Sequence, residues 1–385
     1  MRIGIVGNYG NNNQGDEAIL EGILVQLKKA TNIQSSDIIV FTNNPEQAQK
    51  RYGVQTASLF EKRRTDPMKF LATVRHHLPI IRELDLLIIG GGGILMDLYR
   101  NNPIVYGMYS WIARRAKTPT VIYGPGVGPL RTFMGKTIIR SIANHAEIIT
   151  VRDPQSKNLL HSIGVKKNIQ VITDPAFFVE IPEKLVEKRE GFHIGVTAVP
   201  YFNKSYWPKE DKQKYNDYIN GMSQNLDNLL EKRPMASIHF FSTKHPYDTV
   251  AAKDIQKQMV HANRTTLCNK ELTHREILDF VNQQDLIIGT RLHSLILSVV
   301  AKKPILGISY HQKVRDFMRL IDCSDQVIDI SEVHSQEDAF LSMLKGMERD
   351  WKGTVARMET ILIEMKTKEP NGMTLIKQAF PHMIK

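Results

Sequence analysis

The sequence predicts an α/β protein with two parallel sheets, and three observations support this fold class. Short apolar segments of strand length alternate with helical segments along most of the chain. Several apolar segments end directly in glycine-rich turns or charged residues, as strands of parallel sheets do at their carboxyl ends. With 385 residues, the chain is longer than one compact core normally supports. We therefore expect two Rossmann-like domains whose sheets face each other across a cleft.

The first domain is expected to span residues 1–180. An apolar strand at 2–7 precedes a helix that begins near Gly15 and carries apolar residues on one stripe. Pro154 stands just after a strand, at the favoured first position of a helix. A basic helix is predicted from Pro67 to Arg82. Further strands are predicted at 38–42, 54–58, 85–89, 119–123, 147–151 and 169–172.

The second domain is expected to span residues 192–330. It follows a charged segment, 182–191, whose low apolar content is typical of a linker. Helices are predicted at 210–232 and 276–282, and a C-terminal helical extension at 335–385. Strands are predicted at 193–198, 236–241, 265–267 and 304–308, with one more ending near Ile288.

Charge and cysteine content limit the classes of function. Lys and Arg total 51 against 40 Asp and Glu, a formal net charge of +11 that suits anionic substrates, nucleic acid or an anionic membrane face. Cys268 and Cys323 form no C-x-x-C pair, so neither a disulfide framework nor a thiolate zinc site is expected, and a cytoplasmic location fits. Neither a signal peptide nor a transmembrane helix is expected.

Two polar turns of the first domain are candidate ligand loops. Residues 8–14 are rich in Asn and Gly, and we interpret them either as a substrate-lining loop with Asn8 and Asn11 or as a purely structural turn. Four glycines at 90–93 follow a buried strand. A tight strand crossing would explain two glycines, whereas four favour a site where Gly91 and Gly92 present backbone N–H groups to a ligand.

Residues 287–296 predict the end of a buried strand, a sharp turn and the first turn of a helix that carries Arg291 and His293. Thr290 or Ser294 is expected to cap this helix, whose N-terminus favours an anion. Arg291 adds a charged fork suited to phosphate or carboxylate. For this stretch alone, a capping Thr, a salt-bridged Arg and a core His are the alternative interpretation.

Seven short motifs occur in one order along the chain. They are N-Y-G-N-x-x-x-G-D-E-A at 8–18, G-G-G-G at 90–93, G-P-G-V-G-P at 124–129, V-R-D at 151–153, D-P-A at 174–176, G-T-R-L-H-S at 289–294 and G-I-S-Y-x-x-K at 307–313. This order resembles that of polysaccharide pyruvyl transferases, and in particular the bacterial CsaB type. The resemblance covers about residues 1–325.

The resemblance implies a GT-B-like fold, with phosphoenolpyruvate as co-substrate and a sugar of a cell-wall or exopolysaccharide precursor as acceptor. The implied products are a pyruvate ketal and phosphate. Donor-binding and catalytic roles carry over to Arg152, Arg291 and His293, because V-R-D and R-L-H-S are both intact. Lys313 matches the lysine of Y-x-x-K as a further contact for the donor's anion, and Ser294, in the same motif as His293, is expected to bind the substrate.

The chemistry of such a donor suits these residue types. Phosphoenolpyruvate carries a carboxylate and a phosphate on one small frame, which fixed cations at strand ends can hold. Addition of a sugar hydroxyl at C2 requires a proton at C3, and His293 is the candidate acid. Asp16, Glu17 and Asp153 are candidates for the base. No cofactor is expected, and no metal, because carboxylates and histidines do not cluster at ligand spacing.

Other interpretations stay open at this level. A glycosyltransferase of the same architecture would use a nucleotide sugar instead. A nucleic-acid binder is not expected, because no basic stripe interleaved with aromatic residues is present. A lipid-linked acceptor would bring the protein to the inner face of the membrane. The basic segment with Lys62, Arg63, Arg64, Lys69, Arg75, His76 and His77 predicts a solvated surface, with peripheral contact to an anionic membrane as the alternative.

Overall fold

The computed structural model describes residues 1–61, 65–98, 101–181, 189–207 and 209–381. The chain forms two compact units, one of Met1–Val179 with Lys366–Lys385 and one of Glu180–Met365. The predicted extension at 335–385 is therefore divided, because residues up to Met365 belong to the second unit and the remainder to the first. Most of the predicted linker, at 182–188, lies outside the described residues.

The first unit contains a parallel seven-stranded sheet in the order β3-β2-β1-β4-β5-β6-β7. Its strands β1, β2 and β4 are buried along their whole length because helices cover both sides of such a sheet, whereas the edge strand β3 is polar. Its elements are β1 (Ile3–Val6), α1 (Gln14–Ala30), β2 (Ile38–Thr42), α2 (Pro45–Tyr52), β3 (Gln55–Ser58), α3 (Asp66–Arg82), β4 (Leu86–Gly90), α4 (Asn102–Ala116), β5 (Thr120–Tyr123), α5 (Phe133–His145), β6 (Ile148–Val151), α6 (Pro154–Ser162) and β7 (Ile169–Val171).

The second unit contains a parallel six-stranded sheet in the order β10-β9-β8-β11-β12-β13. This is the strand order of the first sheet without its seventh strand. Its elements are β8 (Phe192–Val196), α7 (Lys212–Lys232), β9 (Ala236–Phe240), α8 (Tyr247–Gln258), β10 (Thr265–Leu267), α9 (His274–Asn282), β11 (Leu286–Gly289), α10 (Leu292–Val300), β12 (Ile305–Ser309), α11 (Gln312–Leu320), β13 (Val327–Asp329), α12 (Ala339–Glu348) and α13 (Trp351–Thr367), before α14 (Gly372–Ala379) in the first unit.

Each sheet has a switch point, where successive connections leave in opposite directions. In the first sheet β1 pairs with β2 on one side and with β4 on the other, so that Ile3 lies between Ile38 and Leu86. In the second sheet β8 lies between β9 and β11 in the same way. Ligands of open α/β sheets bind beyond the carboxyl ends of the strands at this point.

The predicted fold class is confirmed: both units are α/β units with parallel sheets. Several predicted segments differ in detail from the structure. Helix α4 and strand β13 were not predicted, and the helical region expected from residue 335 consists of α12 and α13. Among the described residues, no helix is long and apolar enough to cross a membrane.

The basic segment before residue 82 is only partly a solvated surface. Lys62, Arg63 and Arg64 lie outside the described residues, and Arg75 and His76 are exposed on α3. His77 instead is fully buried, and its Nδ1 lies 3.1 Å from the hydroxyl of Tyr109. Burial and the neighbouring His76 lower the pKa of His77 to about 4, so this imidazole is a neutral core group at pH 7. The expectation that His77 belongs to the solvated surface was wrong.

Candidate functional site

In the second unit, charged and phenolic side chains gather at the carboxyl edge of the sheet, next to its switch point. Arg291 follows β11, and Tyr206 lies in the loop after β8. Asp248 lies in the first turn of α8, after β9, and Tyr310 follows β12. Because β9, β8, β11 and β12 are consecutive neighbours in the sheet, four strands contribute to one site.

Arg291 is held in place by a buried carboxylate. Its Nε and Nη2 donate to the same oxygen of Asp248, Oδ1, at 3.0 and 2.6 Å. Asp248 is 0% exposed, and its Oδ2 accepts backbone N–H groups of Thr243 and Lys244 at 3.2 and 3.0 Å. The two charges of this buried pair compensate each other. Breaking the pair would leave an uncompensated buried ion. The guanidinium is thus fixed rather than mobile.

The third nitrogen of the Arg291 guanidinium, Nη1, contacts two phenol side chains. Nη1 of Arg291 donates to the hydroxyls of Tyr206 and Tyr310 at 2.9 and 3.3 Å, and the guanidinium lies 4.8 Å from the ring centre of Tyr206. Each hydroxyl therefore accepts from the arginine and directs its own hydrogen elsewhere. Within the part of the chain that the structure describes, neither hydroxyl donates to an acceptor.

The charge around Tyr206 changes its acidity. Burial by itself would raise the pKa of Tyr206, but the positive charges of Arg291 and Lys244 outweigh that effect, and the pKa lies below the ordinary value of a phenol. Lys244 lies 4.9 Å from the ring centre of Tyr206. Tyr310 differs, because its burial raises its pKa more than Arg291 lowers it. Tyr206 is consequently the stronger hydrogen-bond donor of the pair.

His293 is half-buried in the first turn of α10, two residues after Arg291. The expected capping of this helix was wrong, because no side chain caps it. The hydroxyl of Thr290 donates to the carbonyl of Thr197 at 3.2 Å, and Ser294 Oγ donates to the carbonyl of Arg291 at 2.6 Å. Ser294 is buried and also contacts the Thr197 hydroxyl at 3.2 Å, so its side chain joins α10 to the loop after β8.

Lys313 lies on the first turn of α11, after β12, and is half-buried. The element that carries it begins at the same sheet edge as the arginine site, three residues after Tyr310. The structure thus places Lys313 at the carboxyl edge of the second sheet, and its contact with the donor's anion stays a prediction.

In the first unit, Arg152 follows β6 and is 7% exposed. Its Nη1 donates to Asp174 Oδ2 at 3.1 Å, and its Nε lies 3.7 Å from Asp153 Oδ2. Gly126 makes room for the guanidinium, because a Cβ there would lie 2.8 Å from Nη2. Asp153 also caps α6 by accepting from the N–H of Ser156 at 2.7 Å. Among the described residues Nη2 donates to no acceptor, so this arginine keeps an open N–H edge.

The asparagine loop after β1 is held together by its own side chains. Asn8 and Asn13 both donate to Asp16 Oδ2 at 2.7 Å, and Asn11 donates to Asn8 Oδ1 at 2.6 Å. Asn13 also caps α1 by accepting from the N–H of Gly15. The polar ends of Asn8 and Asp16 are thus committed to the turn itself. The contacts agree with the structural interpretation of this loop.

Glu17, the second acid of this loop, is buried and committed as well. It accepts from Arg51 at 3.1 Å, from the Tyr52 hydroxyl at 2.7 Å and from the N–H of Gly10 at 2.8 Å. A carboxylate with three donors is poorly placed to accept a proton from a substrate.

Close packing explains two of the four glycines at 90–93. Gly91 and Gly92 have φ angles of +74° and +67°, and a Cβ on them would lie 1.9 Å from Ile19 and 2.3 Å from Asp16 respectively. The N–H of Gly91 donates to the carbonyl of Tyr123 at 3.0 Å, so it is not available to a ligand. The buried carboxylate of Asp16 beside Gly92 disfavours an anion at this turn.

The described residues contain no group of three or more His, Cys, Asp or Glu side chains that could hold a metal ion. The positive groups of the second-unit site come from Arg291 and Lys244 instead. Sequence reasoning missed Asp248, Tyr206 and Lys244, and it assigned no role to Tyr310. In the sequence, only the position of these residues could have identified them, because each of them follows the carboxyl end of a central strand.

Known proteins similar to this chain fall into two groups. The family model described as polysaccharide pyruvyl transferase matches residues 13–312. The amylovoran biosynthesis protein AmsJ of Erwinia amylovora is 22% identical over 376 residues, which cover 86% of this chain and 89% of that protein.

The second group consists of solved structures that are similar in fold. Anabaena HepE in complex with UDP-glucose has a TM-score of 0.63 at 11% identity and covers 100% of this chain and 99% of its own. The UDP-GlcNAc 2-epimerase of Neisseria meningitidis has a TM-score of 0.60 at 13% identity, with coverage of 99% and 100%. At these identities the likeness shows the fold, which is of the GT-B type, and nothing finer.

Proposed function

The chain belongs to the polysaccharide pyruvyl transferase family, and from this premise we propose that it transfers the enolpyruvyl group of phosphoenolpyruvate to a sugar, forming a pyruvate ketal. The acceptor is a unit of a cell-wall or exopolysaccharide precursor, in keeping with a relative named for amylovoran biosynthesis. Phosphate is the second product. His293 is the general acid.

The observation that carries this proposal is the arginine site beside His293. Arg291 donates to the hydroxyls of Tyr206 and Tyr310, and Lys244 lies over the Tyr206 ring. In this proposal the two hydroxyl hydrogens and the ammonium group bind an anion. Asp248 offsets the charge of Arg291, so the arginine acts on the ligand mainly through the two phenols that it polarises. This arrangement fits the phosphate or carboxylate of a small donor.

The reaction can be written with the protein's own groups. The imidazolium of His293 gives its proton to C3 of the donor, which leaves a methyl group and an electron-poor C2. One sugar hydroxyl forms a C–O bond to C2 and loses its proton. The C2–O bond to phosphate then breaks, and a second hydroxyl of the same sugar closes the ketal. One of the two hydroxyl protons replaces the proton spent on C3, and the other leaves with phosphate.

Arg152 contributes to substrate binding through its open N–H edge at the end of β6. Lys313 adds positive charge at the second sheet's carboxyl edge. This proposal gives no role in anion binding to four residues of the first unit's two polar turns, Asn8, Asn11, Gly91 and Gly92. Their contacts hold these turns against α1, and the carboxylate of Asp16 lies among them.

Mass spectrometry of candidate acceptor sugars incubated with phosphoenolpyruvate tests the reaction. We expect the acceptor to gain the mass of a pyruvate ketal, with phosphate released only when acceptor is present. Transfer of a hexose from a uridine diphosphate sugar, without any reaction of phosphoenolpyruvate, would replace the proposal by glycosyl transfer. The His293→Gln variant is the control, because it keeps the polar volume but cannot deliver the proton.

A further inference from the structure

Large apolar side chains are unusually exposed on one part of the first unit. Every exposed large apolar residue described in that unit lies between residues 68 and 134. Phe133 is 85% exposed and Leu71 68%, which is far beyond the partial exposure usual for such side chains. The set consists of Met68, Phe70, Leu71, Leu98, Ile104, Trp111, Phe133 and Met134.

These residues share one face of the first sheet. They lie on α3, α4 and α5 or next to their ends, and α4 packs against both α3 and α5. The connections from β3 to β4, β4 to β5 and β5 to β6 all run in one direction across the sheet, which places their helices on the same side. Close contact of α4 with α5 is visible at Gly107, where a Cβ would lie 2.7 Å from Ile138.

The same region is strongly and one-sidedly charged. Residues 98–146 contain no Asp or Glu, although the chain as a whole has 40 of them. Within the described ranges, none of the exposed cations of this region pairs with a carboxylate. These cations are Arg114, Arg115, Lys117, Arg131, Lys136 and Arg140.

The most exposed apolar side chains stand on a well-anchored turn. Asp97 accepts the N–H groups of Arg131 and Thr132, each at no more than 2.8 Å, and Thr132 caps α5 by accepting from the N–H of Gly135 at 3.0 Å. Phe133 and Met134 follow directly as the first two residues of α5. The anchored backbone therefore fixes their exposure, and water contact with such large apolar side chains is unfavourable.

We propose that the surface formed by the exposed residues of α3, α4 and α5, here the α3–α5 surface, docks onto an anionic lipid bilayer. Apolar side chains such as Phe133 and Leu71 enter the interfacial region, and the surrounding Arg and Lys side chains meet the lipid phosphates. Trp111, with Arg115 at 6.0 Å from its ring centre, has the amphipathic character of an interfacial residue.

The combination of features selects a bilayer over other anionic partners. A nucleic acid would use the cations but would leave Phe133, Met134 and Leu71 in water, since stacking and phosphate contacts need neither Met nor Leu. A second copy of this chain would bring the like charges of α4 and α5 together, because no acid occurs between residues 98 and 146. The inference does not depend on the reaction proposed above.

Vesicle sedimentation tests the proposal without any substrate. The full chain is mixed with phosphatidylcholine vesicles that contain or lack phosphatidylglycerol. We expect binding to the anionic vesicles only, weakened by salt. Phe133→Ser with Met134→Ser, and separately Arg114→Gln with Arg115→Gln, should each weaken binding by about tenfold or more, because each loses interfacial burial or headgroup attraction.

The second unit supplies a matched control. Met235 and Val260 are 71% and 82% exposed there, and their double replacement by Ser should leave vesicle binding unchanged. Trp111 fluorescence should be quenched by bromine-labelled lipid, and Trp111→Phe should abolish that quenching. Equal vesicle binding by the surface and control variants would overturn the proposal. So would a concentration-dependent dimer that Phe133→Ser abolishes, or heparin binding with no vesicle binding.

Discussion

Arg152 and Arg291 occupy similar positions in two sheets of the same strand order, yet their surroundings differ. Both follow a strand, both are buried, and both pair with an Asp of their own unit. Arg291 lies at the switch point of its sheet, whereas Arg152 follows β6, two strands beyond β4. Arg291 is nearly saturated by Asp248 and two tyrosines, while Nη2 of Arg152 has no protein acceptor among the described residues.

An arginine can contribute to a binding site in two ways. Arg152 can donate to a ligand directly. In the proposed function, Arg291 acts indirectly, because it polarises Tyr206 and Tyr310 and these hydroxyls donate to the ligand in its place. A substitution that tests only the presence of positive charge therefore cannot distinguish the two, whereas substitutions of the partners can.

The largest expected effect concerns the two aspartates. Asp248→Asn removes the charge that offsets Arg291 and should lower the free energy of unfolding by about 3–5 kcal/mol, because the guanidinium stays buried. Asp174→Asn should lower it by only about 1–3 kcal/mol, because Asp153 still lies near Arg152. Urea unfolding measures the free energy of unfolding of both variants. Asp322→Asn, which removes the charge of an exposed partner of Arg357 and tolerates the positive φ of 55° at this position, is the control and should have no measurable effect. Equal losses of unfolding free energy in the Asp248 and Asp174 variants would show that the two arginines do not differ in their dependence on a single carboxylate.

His293 should matter for turnover more than for binding. His293→Gln should lower the rate of phosphate release by about a hundredfold or more, since it removes the proton donor. Donor affinity, measured by calorimetry, should stay within a few fold of the parent protein. Near-normal turnover would remove the assignment of His293 as the acid.

Replacing each arginine by lysine separates direct from indirect binding. Arg152→Lys keeps the charge but loses the fork, and we expect roughly tenfold weaker substrate binding with the fold retained. Arg291→Lys should additionally weaken the hold on Tyr206 and Tyr310, so donor binding and thermal stability should fall together. Calorimetry and thermal unfolding distinguish the two patterns, and identical behaviour of both variants would contradict the comparison.

The smallest effect is expected at the tyrosines. Tyr206→Phe and Tyr310→Phe should each weaken donor binding by about five- to tenfold, the value of one hydrogen bond of ordinary strength. Because the pKa of Tyr206 is lowered, binding by the parent protein should weaken as the pH rises through it, when the phenol loses its hydrogen and becomes negative. Tyr206→Phe should lack that loss, and Tyr247→Phe should keep it. An unchanged alkaline profile in Tyr206→Phe would contradict the role of this phenol.

The sequence was informative where a residue's role follows from its position along the chain. Apolar periodicity located most strands, for example Ile38–Thr42, because burial on both faces leaves a visible apolar run. Arg152 and Arg291 were recognised because they directly follow such runs. Helix α4 was not predicted: its stretch carries the exposed Ile104 and Trp111 among its apolar residues, so its buried stripe is indistinct.

The partners of these arginines could not be read in the same way. Asp248 and Tyr206 are separated from Arg291 by 43 and 85 positions, and only the pairing of β8, β9 and β11 brings them together. The prediction that Thr290 caps α10 was wrong, because the hydroxyl of Thr290 donates to the carbonyl of Thr197, which follows the neighbouring strand β8. Long-range pairing of this kind leaves no local pattern.

The last helix has a consequence for how the protein comes into being. Gly372 of α14 lies against the ring of Tyr123, so closely that a Cβ there would be 2.2 Å from it, and Tyr123 in turn reaches Gln26 at 2.9 Å. A segment that follows the whole second unit in the sequence thus completes a core whose other parts are translated before that unit. While the second unit is being translated, this side of the first unit's core is still without α14, and apolar surface exposed in this way favours aggregation.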